Sequence, residues 1–154
     1  MYLYRREYVG GWEWKTVETD GKEKALYENI INYFGVDGAK GSPHAYIDVC
    51  VAYWRKANAV HKWFCDLDGG RDECQPIHVS YDQLRELRDL AASVVLQPAT
   101  AESTLPTQAG FFFGSYDYDE WYMEDMKNTV EMLDKVLASV GPDTWTSFIY
   151  QASW

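Results

Sequence analysis

The sequence predicts an α+β fold, mainly α-helical, with about four helices and short strands at the two termini, in a single domain spanning residues 1–154. Three observations carry that expectation. Four segments repeat apolar residues at helical spacing, and both ends alternate in the manner of strands. The length of 154 residues is one domain's worth of chain. A chain of about 150 residues hides roughly 70% of its unfolded surface, enough for a real core.

MYLYRREYV opens the chain as a strand, with Tyr2, Tyr4 and Tyr8 on one side of the pleat and Leu3 and Val9 on the other. Gly10-Gly11 breaks it. KEKALYENIINYFG reads as a helix, because Leu26, Ile30 and Phe34 recur at its period and Gly35 supplies a stop. Residues 35–44 are loop by composition.

The third element starts ambiguously. AYIDVCV suits a strand, but from Val51 the period turns helical. Tyr53, Ala57, Val60 and Phe64 form a stripe that should face the core, and Asp68-Gly69-Gly70 ends the helix. In SYDQLRELRDLAASVVL, Ser80 with Gln83 makes a capping-box pattern. Leu84, Leu87, Ala91 and Val94 make the buried face, and Pro98 closes the helix. Residues 97–110 have no period and read as a long functional or mobile loop.

The last helix runs from about Asp119 to Val140, with Met126, Val130, Leu133, Leu137 and Val140 near heptad spacing. Gly141-Pro142 stops it. TWTSFIYQASW then alternates in part, as a strand able to pair with the first.

Composition narrows the function classes. Net charge is −10, from 14 cations against 24 carboxylates. General nucleic-acid binding neutralises phosphates with Lys and Arg, so an acidic chain of this length is a poor candidate for it. The acidity serves solubility, or an acidic face for a basic partner. Apolar runs such as AASVVL are far short of the ~20 residues a bilayer span needs. The N-terminus shows no apolar signal region, and three cysteines form no dense framework, which fits a reducing compartment. Aromatic residues make up 16%, with 7 Trp and 12 Tyr. Part of that payload belongs at a surface that meets something.

Two constellations could carry chemistry. Beside the stripe headed by Tyr53, the same predicted helix carries Trp54, Asn58, His61 and Cys65 in a row, with Arg55 and Lys62 one position farther round. As a pocket wall, this row offers an indole for stacking, an amide, an imidazole and nearby cations. As a helix boundary, it has Asn58 and His61 bonding a neighbouring loop while Trp54 caps the core. The second constellation is TLPTQAGFFFGSYDYDEWYMED, residues 104–125. Phe111, Phe112 and Phe113 cannot all point inward, and Gly110 and Gly114 bracket them. Tyr116, Tyr118, Trp121 and Tyr122 add more rings than a hydrophobic staple needs, so the segment reads as a recognition loop. Ser115 or Asp117 could cap the helix that follows. Glu120, Glu124 and Asp125 read as a solvated helix face.

His61, Cys65, Cys74 and His78 are spaced H-x3-C-x8-C-x3-H, four ligands in the number zinc takes. The spacing matches no standard zinc knuckle, and Cys65 beside Phe64 suits a small core hydrophobe. The expectation is no metal and no cofactor. Phosphate loops, dinucleotide fingerprints, hydrolase elbows and metalloprotease helices are all missing.

YWRKANAVHKWF (53–64), LPTQAGFFFGSYDYDEWYMED (105–125) and FIYQASW (148–154) together resemble a family of small proteins encoded by tailed phages, including phages of actinobacteria. The resemblance covers most of the chain in the same order. It implies that the Trp54–Arg55–Asn58–His61 row and the Gly110–Gly114 segment belong to one site. The family's ordinary hydrophobic residue in place of Cys65, and its lack of a His at position 78, count further against zinc. The family brings no activity to transfer, and it implies an accessory factor for counter-defence or host takeover, in the cytoplasm of the infected cell.

The expected function is a non-enzymatic binder. One form holds a nucleotide-like small molecule, with Trp or Phe stacking on a base and Arg55 and Lys62 near phosphate. The other engages a host protein through aromatic anchors in an acidic rim. The alternatives are an enzyme using His61 as general acid or base, a structural assembly protein, and a nucleic-acid mimic.

Overall fold

The computed structural model describes residues 1–10, 17–38, 43–108, 115–141 and 146–153, and of these the side chains of residues 17–20 are not described. Its elements run β1 (Tyr2–Gly10), α1 (Val17–Phe34), β2 (His44–Tyr53), α2 (Asn58–Leu67), β3 (Ile77–Val79), α3 (Tyr81–Leu96), a 3-10 turn (Pro98–Thr100), α4 (Ala101–Thr104), α5 (Glu120–Ala138) and β4 (Ser147–Gln151). The fold is α+β. The strands form one four-stranded sheet in the order β2-β1-β4-β3. Two of them, β2 and β3, are interior to the sequence, so the strands are not confined to the termini. By its own contacts the chain divides into two compact units, Met1–Arg5 with Cys50–Trp154, and Arg6–Val49.

The larger unit holds a continuous core. Ser80 caps α3 as its pattern predicts: its hydroxyl accepts from the Gln83 backbone N–H, and the Gln83 side chain accepts from the Ser80 N–H. Leu84, Leu87, Ala91 and Val94 are all fully buried, and α3 packs along α5 through Met126, Leu133 and Val136. Burying a side chain of this size contributes about 1.5–3 kcal/mol. β3 and β4 pair antiparallel with Ile77 opposite Tyr150 and Val79 opposite Phe148. The inward faces of both strands thereby join the same core.

Two expectations for this unit are corrected. The third element is strand up to Tyr53, and α2 starts only at Asn58. Trp54 exchanges backbone hydrogen bonds with Met1, which extends the strand pairing. Lys56 then turns the chain at φ +59, a conformation no helix tolerates. Tyr53 is therefore 50% exposed rather than core, while Val60 and Phe64 are buried as expected. The segment after α3 is not a loop throughout. Pro98 opens the 3-10 turn, α4 follows, and Leu105 is buried as a plug.

In the smaller unit, Arg6 makes two hydrogen bonds to Asp48, at 2.7 and 2.6 Å, and its guanidinium lies over the Tyr46 ring. The pairing raises the Arg6 pKa and lowers that of Asp48. α1 ends at Gly35 in the left-handed conformation, as predicted. Among its described side chains Tyr27 is the buried one, however, and Leu26 and Phe34 are 43% and 69% exposed. Gly38 lies against this ring: a Cβ there would collide with the Tyr27 hydroxyl, so the close approach favours glycine.

Candidate functional site

The predicted row on the second helix separates into different environments. Trp54 lies before α2, 3% exposed, with its ring edge-on to Phe64 and its indole N–H donating to Thr129 Oγ1 at 2.9 Å. A ring sealed in this way has no face for a base, so its assignment as a stacking surface is corrected. Arg55 is exposed, and Lys62 pairs with Asp66 one turn along α2. Asn58 is buried at the first turn of α2. Its amide donates to the Gln108 carbonyl at 2.9 Å and accepts from the Gln108 N–H at 2.7 Å. It spends its recognition groups on a neighbouring segment, in the arrangement of a helix boundary. Phe111, Phe112, Phe113 and Gly114 lie outside the described residues.

His61 sits at the centre of a buried polar cluster, 1% exposed. Its Nδ1 is 2.6 Å from Tyr150 Oη, and its Nε2 is 3.1 Å from Asp72 Oδ1 and 3.3 Å from Cys65 Sγ. Desolvation lowers the His61 pKa against the opposing pull of Asp72. Burial pushes the Cys65 thiol up to about 12 and raises Tyr150 as well. Cys74 lines the same small cavity. His78 does not join it, since it is the outward residue of β3, between buried Ile77 and Val79.

The second constellation builds a cleft at the start of α5. Asp119 caps the helix, its Oδ1 accepting from the Trp121 and Tyr122 N–H groups at 3.0 Å each. Tyr122 is buried and donates its hydroxyl to the Leu105 carbonyl at 2.9 Å. Thr107 bonds Tyr116 and Tyr118. Together with the Asn58 clamp, these contacts pin residues 105–108 as one wall of the cleft. Asp117, Asp119 and Asp125 line it with Lys56, and a contiguous groove adds Glu120, Glu124 and Lys127. Trp121 stands at the cleft 78% exposed, with Tyr116 and Tyr118 at 49% and 38%.

Asp125 departs from the solvated face expected of these acids. It is half-buried, and among the described residues nothing donates to its carboxylate. Desolvation, then Glu124 and Asp119, raise its pKa to about 6. An ionised carboxylate withdrawn from water without a donor costs stability, and it presents strong acceptor capacity to whatever enters the cleft.

Sequence reasoning singled out Trp121, Tyr116, Tyr118, Asn58 and His61, but neither Asp72 nor Tyr150, and it set Asp125 aside. Asp72 and Tyr150 lie 11 and 89 residues from His61, beyond any local pattern. Asp125 carried one usable signal: it precedes Met126 and lies three residues after Tyr122, beside the inward stripe.

Comparison of the chain with protein-family models, curated proteins and solved structures finds no match. The function has to be read from the chemistry of these residues.

Proposed function

We propose that the protein is a non-enzymatic binder that takes a basic segment of a partner protein into the cleft at the start of α5. The observation that carries this reading is the Asp125 carboxylate, to which nothing donates among the described residues, in a cleft beside exposed Trp121. A Lys or Arg entering there would supply the missing donors. The indole and the Tyr118 ring would pack on its alkyl stem or guanidinium plane. Asp119 and Glu120 offset the positive end of the helix dipole, which would otherwise oppose a cation. On the resemblance to small tailed-phage proteins, the partner would be a host protein and the role counter-defence or takeover.

A nucleotide-like ligand fits less well, because the cleft carries three carboxylates against Lys56. An enzyme using His61 would need substrate to reach an imidazole 1% exposed.

Isothermal titration with a synthetic Arg/Lys-rich peptide, and with a nucleoside triphosphate beside it, tests the reading. The peptide should bind and weaken as salt rises. Asp125→Asn should lower its affinity about tenfold or more, and Trp121→Ala should weaken it comparably. Equal peptide binding by wild type and both variants, or binding of the nucleotide alone, would overturn the proposal.

A further inference from the structure

The buried cluster around His61 has the makings of a metal centre. His61 and Cys65 are one turn apart on α2 and present Nε2 and Sγ on the same side. Asp72 reaches the same point from the loop that follows. The three donor atoms lie within 4.8 Å of one another, an imidazole nitrogen, a thiol sulfur and a carboxylate oxygen. Nε2 is 3.1 Å from the carboxylate oxygen and 3.3 Å from Sγ, close to the roughly 3.3–3.8 Å between tetrahedral donors whose bonds to zinc are about 2.0–2.3 Å long.

The loop is held for the purpose. Arg71 donates to Asp68 Oδ2 through two nitrogens, Gln75 donates to the same oxygen and to the Arg71 carbonyl, and Gln75 Oε1 accepts from the Glu73 N–H. This lattice fixes the backbone on both sides of Asp72. On the far side of the imidazole, Tyr150 Oη meets Nδ1 at 2.6 Å, the outer contact that orients a ligating histidine. In the tautomer that ligates an ion, Nδ1–H donates to Tyr150 Oη and the Nε2 lone pair faces the same point as Sγ and the carboxylate. The Asp72 side chain is 30% exposed, which gives an ion a path in.

We infer that His61, Cys65 and Asp72 form a site for a borderline divalent transition metal, zinc by its ligand chemistry, with the fourth position facing the cavity lined by Cys74. A thiolate with imidazole disfavours calcium and magnesium, which take oxygen ligands. On binding, the Cys65 thiol proton leaves to solvent and the sulfur lone pair goes to the metal, with no change of oxidation state. This set differs from the His61, Cys65, Cys74 and His78 spacing pattern, and from the expectation of no metal, in that Asp72 takes the place His78 has in that pattern. It is independent of the cleft at α5.

The test is titration of the whole, reduced, chelator-stripped protein with Co2+ as a coloured probe, followed by displacement with Zn2+. The expected result is saturation at one ion per chain, with a thiolate-to-cobalt charge-transfer band that Zn2+ abolishes. Cys65→Ser should lose the band, and Asp72→Asn should bind about tenfold more weakly or worse. Asp72 is at the surface, so that variant keeps the core, and Zn2+ should raise the melting temperature of wild type but not of Asp72→Asn. His78→Ala should behave as wild type. No saturable binding, a band that survives Cys65→Ser, or binding lost only in His78→Ala would each overturn the assignment.

Discussion

His61 and Asp125 are both titratable side chains drawn back from water within the larger unit, and their surroundings treat them in opposite ways. Around His61 each ring nitrogen meets a partner, Tyr150 on one side and Asp72 with Cys65 on the other. Around Asp125 the neighbours that matter are two more carboxylates, Glu124 and Asp119. The first arrangement is held together by its own hydrogen bonds, so cutting into it weakens the protein. The second is a local conflict carried by the fold, and relieving it strengthens the protein. A polar group that lowers stability where it sits points to an occupant, because a neutral residue of the same shape would serve the fold better.

The sharpest way to break this contrast is to truncate each residue and measure unfolding in urea. His61→Ala should cost about 3 kcal/mol, since it opens a hole in the core and strands Tyr150 Oη without its partner. A loss below about 1 kcal/mol would mean that the cluster is not a structural unit.

Asp125→Asn should act the other way. The native pKa is raised to about 6, above the ~3.9 of an unfolded aspartate, so the folded state holds the proton more tightly between those values. The stabilisation from the neutral acid is complete below about pH 4 and is lost as pH rises through about 6. Asn, which never ionises, should therefore make the protein about 1–2 kcal/mol more stable at pH 8, after allowance for partial exposure, and no more stable at pH 4. Equal stability of the two proteins at pH 8 would remove the conflict on which the proposed function rests.

The smallest effect should come from Trp121→Ala, within about 0.5 kcal/mol by the same measurement, because its ring is 78% exposed. A larger loss would show that the indole is part of the fold.

Much of the architecture was legible where local chemistry and packing agree. The Ser80–Gln83 cap and the Leu84-Leu87-Ala91-Val94 face give α3 as the structure has it, and the final strand neighbours the first. The second helix misled because Tyr53 and Ala57 continue its period backward into a strand. The break at Lys56 depends on a positive φ in a residue whose identity does not ask for one. Of the site residues, the His61–Cys65 pair shows in its spacing, whereas Asp72 and Tyr150 are brought in by a loop and by β4. Asp125 resembled Glu124 in sequence, and one step of helix rotation, toward buried Tyr122 and Thr129, separates them.

The Thr129 hydroxyl donates to the Asp125 carbonyl at 2.7 Å while accepting from the Trp54 indole at 2.9 Å. Two tryptophans thus report on α5, Trp54 from a dry interior and Trp121 from open water. Their emission should differ in colour, so light from the wet indole would register an arriving guest, and light from the dry one would register melting of the scaffold.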